Sequence, residues 1–168
     1  MPKRSAGVLL YRLGPGGGPE VLVGHMGGPF WAKKDAGAWS IPKGEYTDDE
    51  VALDVARREF EEELGSPVPA SDFIELGELR TSGGKVLTVW AAEGDFDAES
   101  SVSNTFELEW PPRSGQVQEF PEIDRSAWLS ISDARTALVK GQVPFLDRLL
   151  ALLALPTARG DASGSAGS

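Results

Sequence analysis

Glu59, Glu62 and Glu63 fall within a single turn of a predicted helix, in the run Arg58-Glu59-Phe60-Glu61-Glu62-Glu63-Leu64-Gly65. Residues three and four apart on a helix are surface neighbours, so Glu59 faces both of the other two. At a separation of about 5–6 Å and an effective dielectric near 20, each like-charged pair costs roughly 3 kcal/mol. Such a cluster calls for something cationic to hold it, and a divalent metal is the obvious candidate. Mg2+ takes oxygen ligands in an octahedron, keeps several waters, and is commonly held by one or two carboxylates beside substrate phosphates.

The elements that position these groups follow from periodicity and punctuation. A helix is expected to start near Thr47 or Asp48, with Thr47 as N-cap and Glu50 three residues on, as in a capping box. Ala52, Leu53, Ala56, Phe60 and Leu64 then recur at helical spacing as a core stripe, and Gly65-Ser66-Pro67 marks the stop. Upstream, 5–13 and 20–24 read as strands paired in a hairpin around a Gly/Pro-rich turn. Between hairpin and helix, 25–43 reads as one long loop, a length that usually signals function. Downstream, 73–80, 85–92, 105–110 and 127–130 read as strands, and 131–139 and 144–155 as helices, the first capped by Ser132 or Asp133. From residue 156 the chain turns Ala-, Gly- and Ser-rich and reads as a disordered tail after one domain over 1–155.

Composition narrows the function classes. With 168 residues the chain suits one core rather than two. There are no cysteines, which excludes disulfides, thiolate zinc sites and a Cys nucleophile and fits a cytoplasmic setting. The single histidine, His25, leaves little room for imidazole chemistry. A formal charge of −10 argues against a broad nucleic-acid surface, whose phosphate contacts need clustered Lys and Arg. The apolar run after Lys3-Arg4 ends at Arg12 and reads as a strand, and no stretch reaches the roughly 20 apolar residues of a membrane span.

The segment from Gly44 to Gly65 resembles the signature of the Nudix hydrolases: Gly44, Glu50, Arg58, Glu59, Phe60, Glu62, Glu63 and Gly65 stand in its pattern, and only Ser66 replaces an expected aliphatic residue. From this chain's composition, chance would produce such a coincidence with a probability of roughly 10⁻⁵. The resemblance implies an α/β fold, an α/β/α sandwich with a mixed sheet between helices, and hydrolysis of a nucleoside diphosphate linked to a further group X. It implies Mg2+, with Mn2+ as a substitute, held by Glu59, Glu63 and the Gly44 carbonyl. Glu62 is expected to ligate or to orient water, and Glu59 or Glu62 to act as general base. Arg58, and Glu50 from the other end of the loop-helix unit, are expected to orient the carboxylates. A further ligand is expected from a later loop, Glu122 first and Glu119 second.

The run Trp39-Ser40-Ile41-Pro42-Lys43-Gly44 resembles the Trp-x-x-Pro-Lys-Gly stretch of members acting on dinucleoside polyphosphates and diphosphoinositol polyphosphates. Lys43 is the expected phosphate contact, a compact point charge. Lys33, Lys34 and Arg80 are further candidates for an elongated anion, and Phe30, Trp31 and Trp39 for stacking on a base; Trp39 reads equally well as a core anchor. The favoured substrate is a small-molecule dinucleoside polyphosphate such as diadenosine tetraphosphate. The alternatives are a sanitising pyrophosphatase for oxidised or noncanonical (d)NTPs and, in a different class, a noncatalytic nucleotide sensor. Family members are often homodimers, and neither nucleic acid nor membrane is expected as a partner.

Overall fold

A computed structural model of the chain describes residues 3–154, with nothing stated for the Ser82 side chain; the expected disordered tail lies outside the described residues. Nine strands and three helices follow in the order β1 (Arg4–Leu13), β2 (Pro19–Met26), β3 (Trp39–Ser40), β4 (Lys43–Tyr46), α1 (Ala52–Leu64), β5 (Ile74–Arg80), β6 (Val86–Glu93), β7 (Thr105–Glu109), β8 (Val117–Pro121), β9 (Ile123–Ser130), α2 (Ile131–Ala137) and α3 (Pro144–Leu153).

Seven strands form one mixed sheet with the path β3-β2-β1-β6-β5, β4 also pairing with β1 and β9 with β2. The expected β1–β2 hairpin is present, with Tyr11 opposite Val21. β1 runs parallel to β6 from Arg4 opposite Val86 to Tyr11 opposite Glu93. Its sequence Ser-Ala-Gly-Val-Leu-Leu-Tyr is almost uniformly apolar because both faces are covered. Ala6, Val8 and Leu10 point to one layer, with Val55, Ala56, Phe60 and Leu64 of α1. Leu9 and Tyr11 point to the other, with Ala134 and Ala137 of α2 and Phe145, Leu146 and Leu149 of α3. The result is the expected α/β/α sandwich. Among the described residues no helix is long and apolar enough to cross a membrane.

The structure departs from the sequence-based expectations at five points. α1 begins at Ala52 after Val51, which makes no side-chain cap. Thr47 and Glu50 do bond as anticipated, Thr47 N–H donating to Glu50 Oε1 at 3.0 Å, but they close a separate turn before the helix. Val55 replaces Leu53 in the fully buried stripe, since Leu53 is only partly covered. Ser130, rather than Ser132 or Asp133, caps α2 by accepting from Asp133 N–H at 3.1 Å. The long loop is interrupted by β3, which pairs with β2, and its end at Lys43 is already strand β4, paired with β1. Finally, β8 was not anticipated; it pairs only with β7 in a small separate sheet.

Helix α1 ends as its sequence requires. Gly65 takes φ 92°, the left-handed conformation glycine adopts without penalty, and its N–H donates to Glu61 O at 2.7 Å. This fixes the last turn, which carries Glu62 and Glu63.

Candidate active site

The glutamates of α1 meet the chain again at Gly44, at the start of β4. A Cβ on Gly44 would overlap the Glu59 carboxyl group, so this position has to be glycine for the carboxylate to lie against the backbone. β4 is held by its pairing with β1, Gly44 opposite Ala6, and the same stretch of β1 packs on α1. Strand, helix and glycine therefore share one rigid support.

Arg58 joins the acidic groups. Its guanidinium lies 3.1 Å from Glu50 and 3.8 Å from both Glu59 and Glu62. The Glu50 carboxyl is held below the usual carboxylate range, first by the Thr47 backbone N–H and then by Arg58. The mutual repulsion within the helix is thus offset in part by an arginine of the same helix. It is offset further by the proton that Glu63 retains. Burial pushes the Glu63 carboxyl from 4.5 up to about 8, with Lys43 opposing and Glu59 and Glu122 adding to the rise. Glu59 is also raised, by burial first and then by Glu62, against Arg58 and Lys43.

Glu63, Glu122 and Lys43 line one small cleft of about 160 Å³ together with Met26, Trp31 and Phe106. Glu122 reaches it from the segment between β8 and β9, where its N–H donates to Asn104 O at 2.8 Å and its carbonyl accepts from Gly27 N–H at 3.0 Å. Glu119, the second choice from sequence, lies opposite Glu107 in the β7–β8 pair and does not line the cleft. Trp31 lines the cleft, whereas Trp39 does not. Trp39 is 6% exposed, donates its indole N–H to Asp35 at 2.9 Å, and stands edge-on to His25. It anchors the loop from behind, the core role that the sequence left open. Lys33 is exposed, and neither it nor Phe30 or Arg80 lines the cleft. Lys34 lies over the Trp31 ring at 5.4 Å. His25 is fully buried between Asp124, at 2.9 Å from Nδ1, and the Lys34 carbonyl, at 2.6 Å from Nε2, a structural tie for the loop.

Two contributors escaped the sequence. Phe106 enters the cleft from the unanticipated small sheet. Gln142 is 2% exposed and spans the molecule: its Oε1 accepts from Ile41 N–H at 2.8 Å and its Nε2 donates to Ser40 Oγ at 3.0 Å. It fixes the segment leading into Lys43 and Gly44, and nothing local in Lys-Gly-Gln signals this. Gln142→Leu leaves the Ile41 N–H buried without an acceptor and is expected to lower unfolding free energy by about 1–3 kcal/mol, read by urea denaturation.

The donor set suits a hard cation. It consists of carboxylate oxygens around a backbone kept open by glycine, with one carboxyl so poorly solvated that it holds its proton near neutrality. Among the described residues no three His, Cys, Asp or Glu side chains converge closely enough to hold a metal as they stand. Arg58 instead pairs with Glu59 and Glu62 at 3.8 Å.

Protonation of Glu63 has a consequence for stability. The folded state keeps this proton up to about pH 8, whereas the unfolded chain releases it near 4.5. Between those values the folded state binds more protons, so the Glu63 contribution falls as pH rises through that window and is fully lost above about 8. In the presence of EDTA, the wild type is expected to lose several degrees of Tm from pH 5 to 9 relative to Glu63→Gln, read by thermal denaturation of both proteins.

The mixed sheet sandwiched by helices thus sets Glu59 of α1 against Gly44 of β4, with Glu63, Glu122 and Lys43 around one cleft. Residues 1–149 match the NUDIX domain, and the chain belongs to that family of hydrolases acting on nucleotides, whose members generally use divalent cations. Similar folds include the C. elegans Ap4A hydrolase in its binary complex, at TM-score 0.61 and 21% identity over 89% of this chain and 98% of that one. The M. smegmatis Nudix hydrolase RenU aligns at TM-score 0.58 and 22% identity over 89% and 84% of the two chains. The NUDIX domain of Shewanella oneidensis NrtR, complexed with ADP ribose, aligns at 0.63 and 15% identity over 91% and 89%. No curated protein matches the sequence.

Proposed function

We propose that this chain is a Mg2+-dependent pyrophosphohydrolase, with Mn2+ able to substitute, whose preferred substrate is a dinucleoside polyphosphate such as diadenosine tetraphosphate. The observation that carries the reading is the placement of Lys43, which lines both the acidic cleft with Glu63 and Glu122 and a larger cavity of about 470 Å³ beside it. A phosphate chain laid across Lys43 would have its scissile linkage at the glutamates and its remainder in the larger space.

In this reading Glu59, Glu63 and the Gly44 carbonyl would hold the cation, with Glu122, which lines the same cleft as Glu63, as a further ligand. A cation held there would supply neutralisation of phosphate oxygens and a lowered pKa for an attacking water. Glu62, partly exposed at the end of the helix, orients that water, and either Glu62 or Glu59 accepts its proton as the oxygen attacks phosphorus and the anhydride oxygen leaves on the second nucleotide. Arg58 bridges Glu50, Glu59 and Glu62 and keeps the carboxylates in register. Lys43 binds the chain and offsets charge on the departing phosphate. Trp31, at the junction of the two spaces, provides an aromatic wall for a base.

A panel of dinucleoside polyphosphates, canonical and oxidised NTPs, ADP-ribose and diphosphoinositol polyphosphates, compared by kcat/KM, tests the substrate assignment. The dinucleoside polyphosphates are expected to be turned over fastest; a higher kcat/KM for oxidised NTPs would replace this reading with pool sanitation.

A further inference from the structure

Strand β9 enters the sheet through an irregularity. Its pairing with β2 sets His25 opposite Arg125 and then Met26 opposite Ile123, so Asp124 is an extra residue with no partner in that ladder. A bulge of this kind re-aims side chains, and bulges are frequent beside active sites. Side chains two apart on a regular strand share a face. Here they part: Glu122 lines the acidic cleft, while the Asp124 carboxylate turns to His25, whose ring stands edge-on to Trp39 behind the loop.

His25 is fully buried and meets an acceptor on each side. Its Nδ1 lies 2.9 Å and 3.1 Å from the two Asp124 carboxylate oxygens, and its Nε2 lies 2.6 Å from the Lys34 carbonyl. Both ring nitrogens therefore donate, and the ring carries both hydrogens. Arg125 also faces the Asp124 carboxylate, at 3.4 Å. The backbone before the bulge is bonded in turn. Glu122 O accepts from Gly27 N–H at 3.0 Å, Glu122 N–H donates to Asn104 O at 2.8 Å, and Ile123 N–H donates to Ser103 Oγ at 3.1 Å. Asn104 N–H donates to Glu62 O at 2.8 Å, so this series of bonds ends on the last turn of α1.

We propose that Asp124 and His25 are positioning residues for Glu122: by anchoring the extra residue of the bulge, the pair turns Glu122 into the acidic cleft beside Glu63. The proposal rests on reading that cleft as the cation site, and it gives His25 a part in metal affinity without contact to metal or substrate. The Gly27 and Asn104 bonds fix where the Glu122 backbone lies, and the Asp124–His25 pair fixes how the chain turns immediately after it. Without the Asp124 carboxylate the bulge loses its anchor, and Glu122 loses its aim. Partners that orient a metal ligand in this way govern affinity although they never touch the ion.

Calorimetric titration of the full chain with Mn2+, over a double-mutant cycle of Asp124→Ala and Glu122→Gln, tests this. Asp124→Ala should weaken Mn2+ binding about tenfold, the size expected of a group that orients a ligand. When Glu122 is already glutamine, the same change should cost less than about twofold, because its effect runs through Glu122. Asp124→Asn, which keeps an acceptor for the Nδ1 hydrogen, should stay within about threefold of wild type. Additive losses in the cycle mark a merely structural role and overturn the proposal. Wild-type affinity in Asp124→Ala overturns it too, as does wild-type affinity in Glu122→Gln, since Glu122 is then no ligand. His25 is the single histidine, so isotope-edited NMR of the wild type reads its ring without ambiguity. Two ring N–H protons protected from exchange are expected; one or none removes the double donation on which the pair depends, whatever the folding of the variants. Mn2+ binding with the expected coupling but no hydrolysis of any nucleotide would defeat the hydrolytic reading alone, so the two failures are distinguishable.

Discussion

Glu63→Gln is expected to stay folded and to lose Mg2+-dependent hydrolysis by about a thousandfold, equivalent to roughly 4 kcal/mol of transition-state stabilisation. Glutamine keeps the size of the side chain, so the last turn of α1 and the Gly65 cap need not move. What changes is the charge and with it the affinity for a hard cation, since a neutral amide oxygen replaces the carboxylate. The effect is concentrated at this residue because it is the carboxyl that burial pushes up to about 8, and it lines the cleft with Glu122 and Lys43. A poorly solvated carboxylate has more to gain from a cation than an exposed one. Circular dichroism should be unchanged and kcat should fall; equal turnover in the two proteins would remove Glu63 from the metal site.

Gly44→Ala is expected to lower kcat by a hundred- to a thousandfold, about 3–4 kcal/mol, with a smaller effect on folding. The new methyl group would overlap the Glu59 carboxyl, the end of a side chain with rotatable bonds, so the protein can relieve the overlap by moving Glu59 rather than by opening the strand. That movement takes a proposed ligand away from its position against Gly44. A misplacement of about 1 Å in such a group is enough to cost two orders of magnitude in rate. Kinetic measurement alongside a melting curve separates the outcomes: loss of activity with a Tm drop of a few degrees supports the account, whereas activity near wild type would mean that Glu59 does not need its place against Gly44.

The parts of this site that could be read from sequence are those in which function and local structure share one short segment. Arg58, Glu59, Glu62, Glu63 and Gly65 lie within one helix and its cap, so spacing alone puts them together. Gly44 and Lys43 are tied to them by motif rather than periodicity. The start of α1 was misplaced because Thr47 and Glu50 make the bond of a capping box in a turn that closes before the helix begins. β8 was invisible because Val117-Gln118-Glu119-Phe120-Pro121 is mostly exposed and pairs only with β7, so no buried face imposes an apolar alternation. Phe106 lies on β7, which was read as a strand, but nothing local signals its entry into the cleft. Trp39 could be read in two ways, and only its indole bond to Asp35 and its packing on His25 distinguish an anchor from a stacking surface. Gln142 acquires its meaning from contacts between segments far apart in sequence, its bonds to Ile41 and Ser40 spanning 101 and 102 positions. No local pattern encodes such a contact.

Most direct for the central claim is product identification after incubation of diadenosine tetraphosphate with the wild-type protein, with Mg2+ and with EDTA. The account predicts two adenine nucleotides whose phosphates together number those of the substrate, formed with Mg2+ and absent with EDTA. Binding of the dinucleotide without cleavage in either Mg2+ or Mn2+ would contradict it and make the protein a nucleotide sensor built on a hydrolase fold.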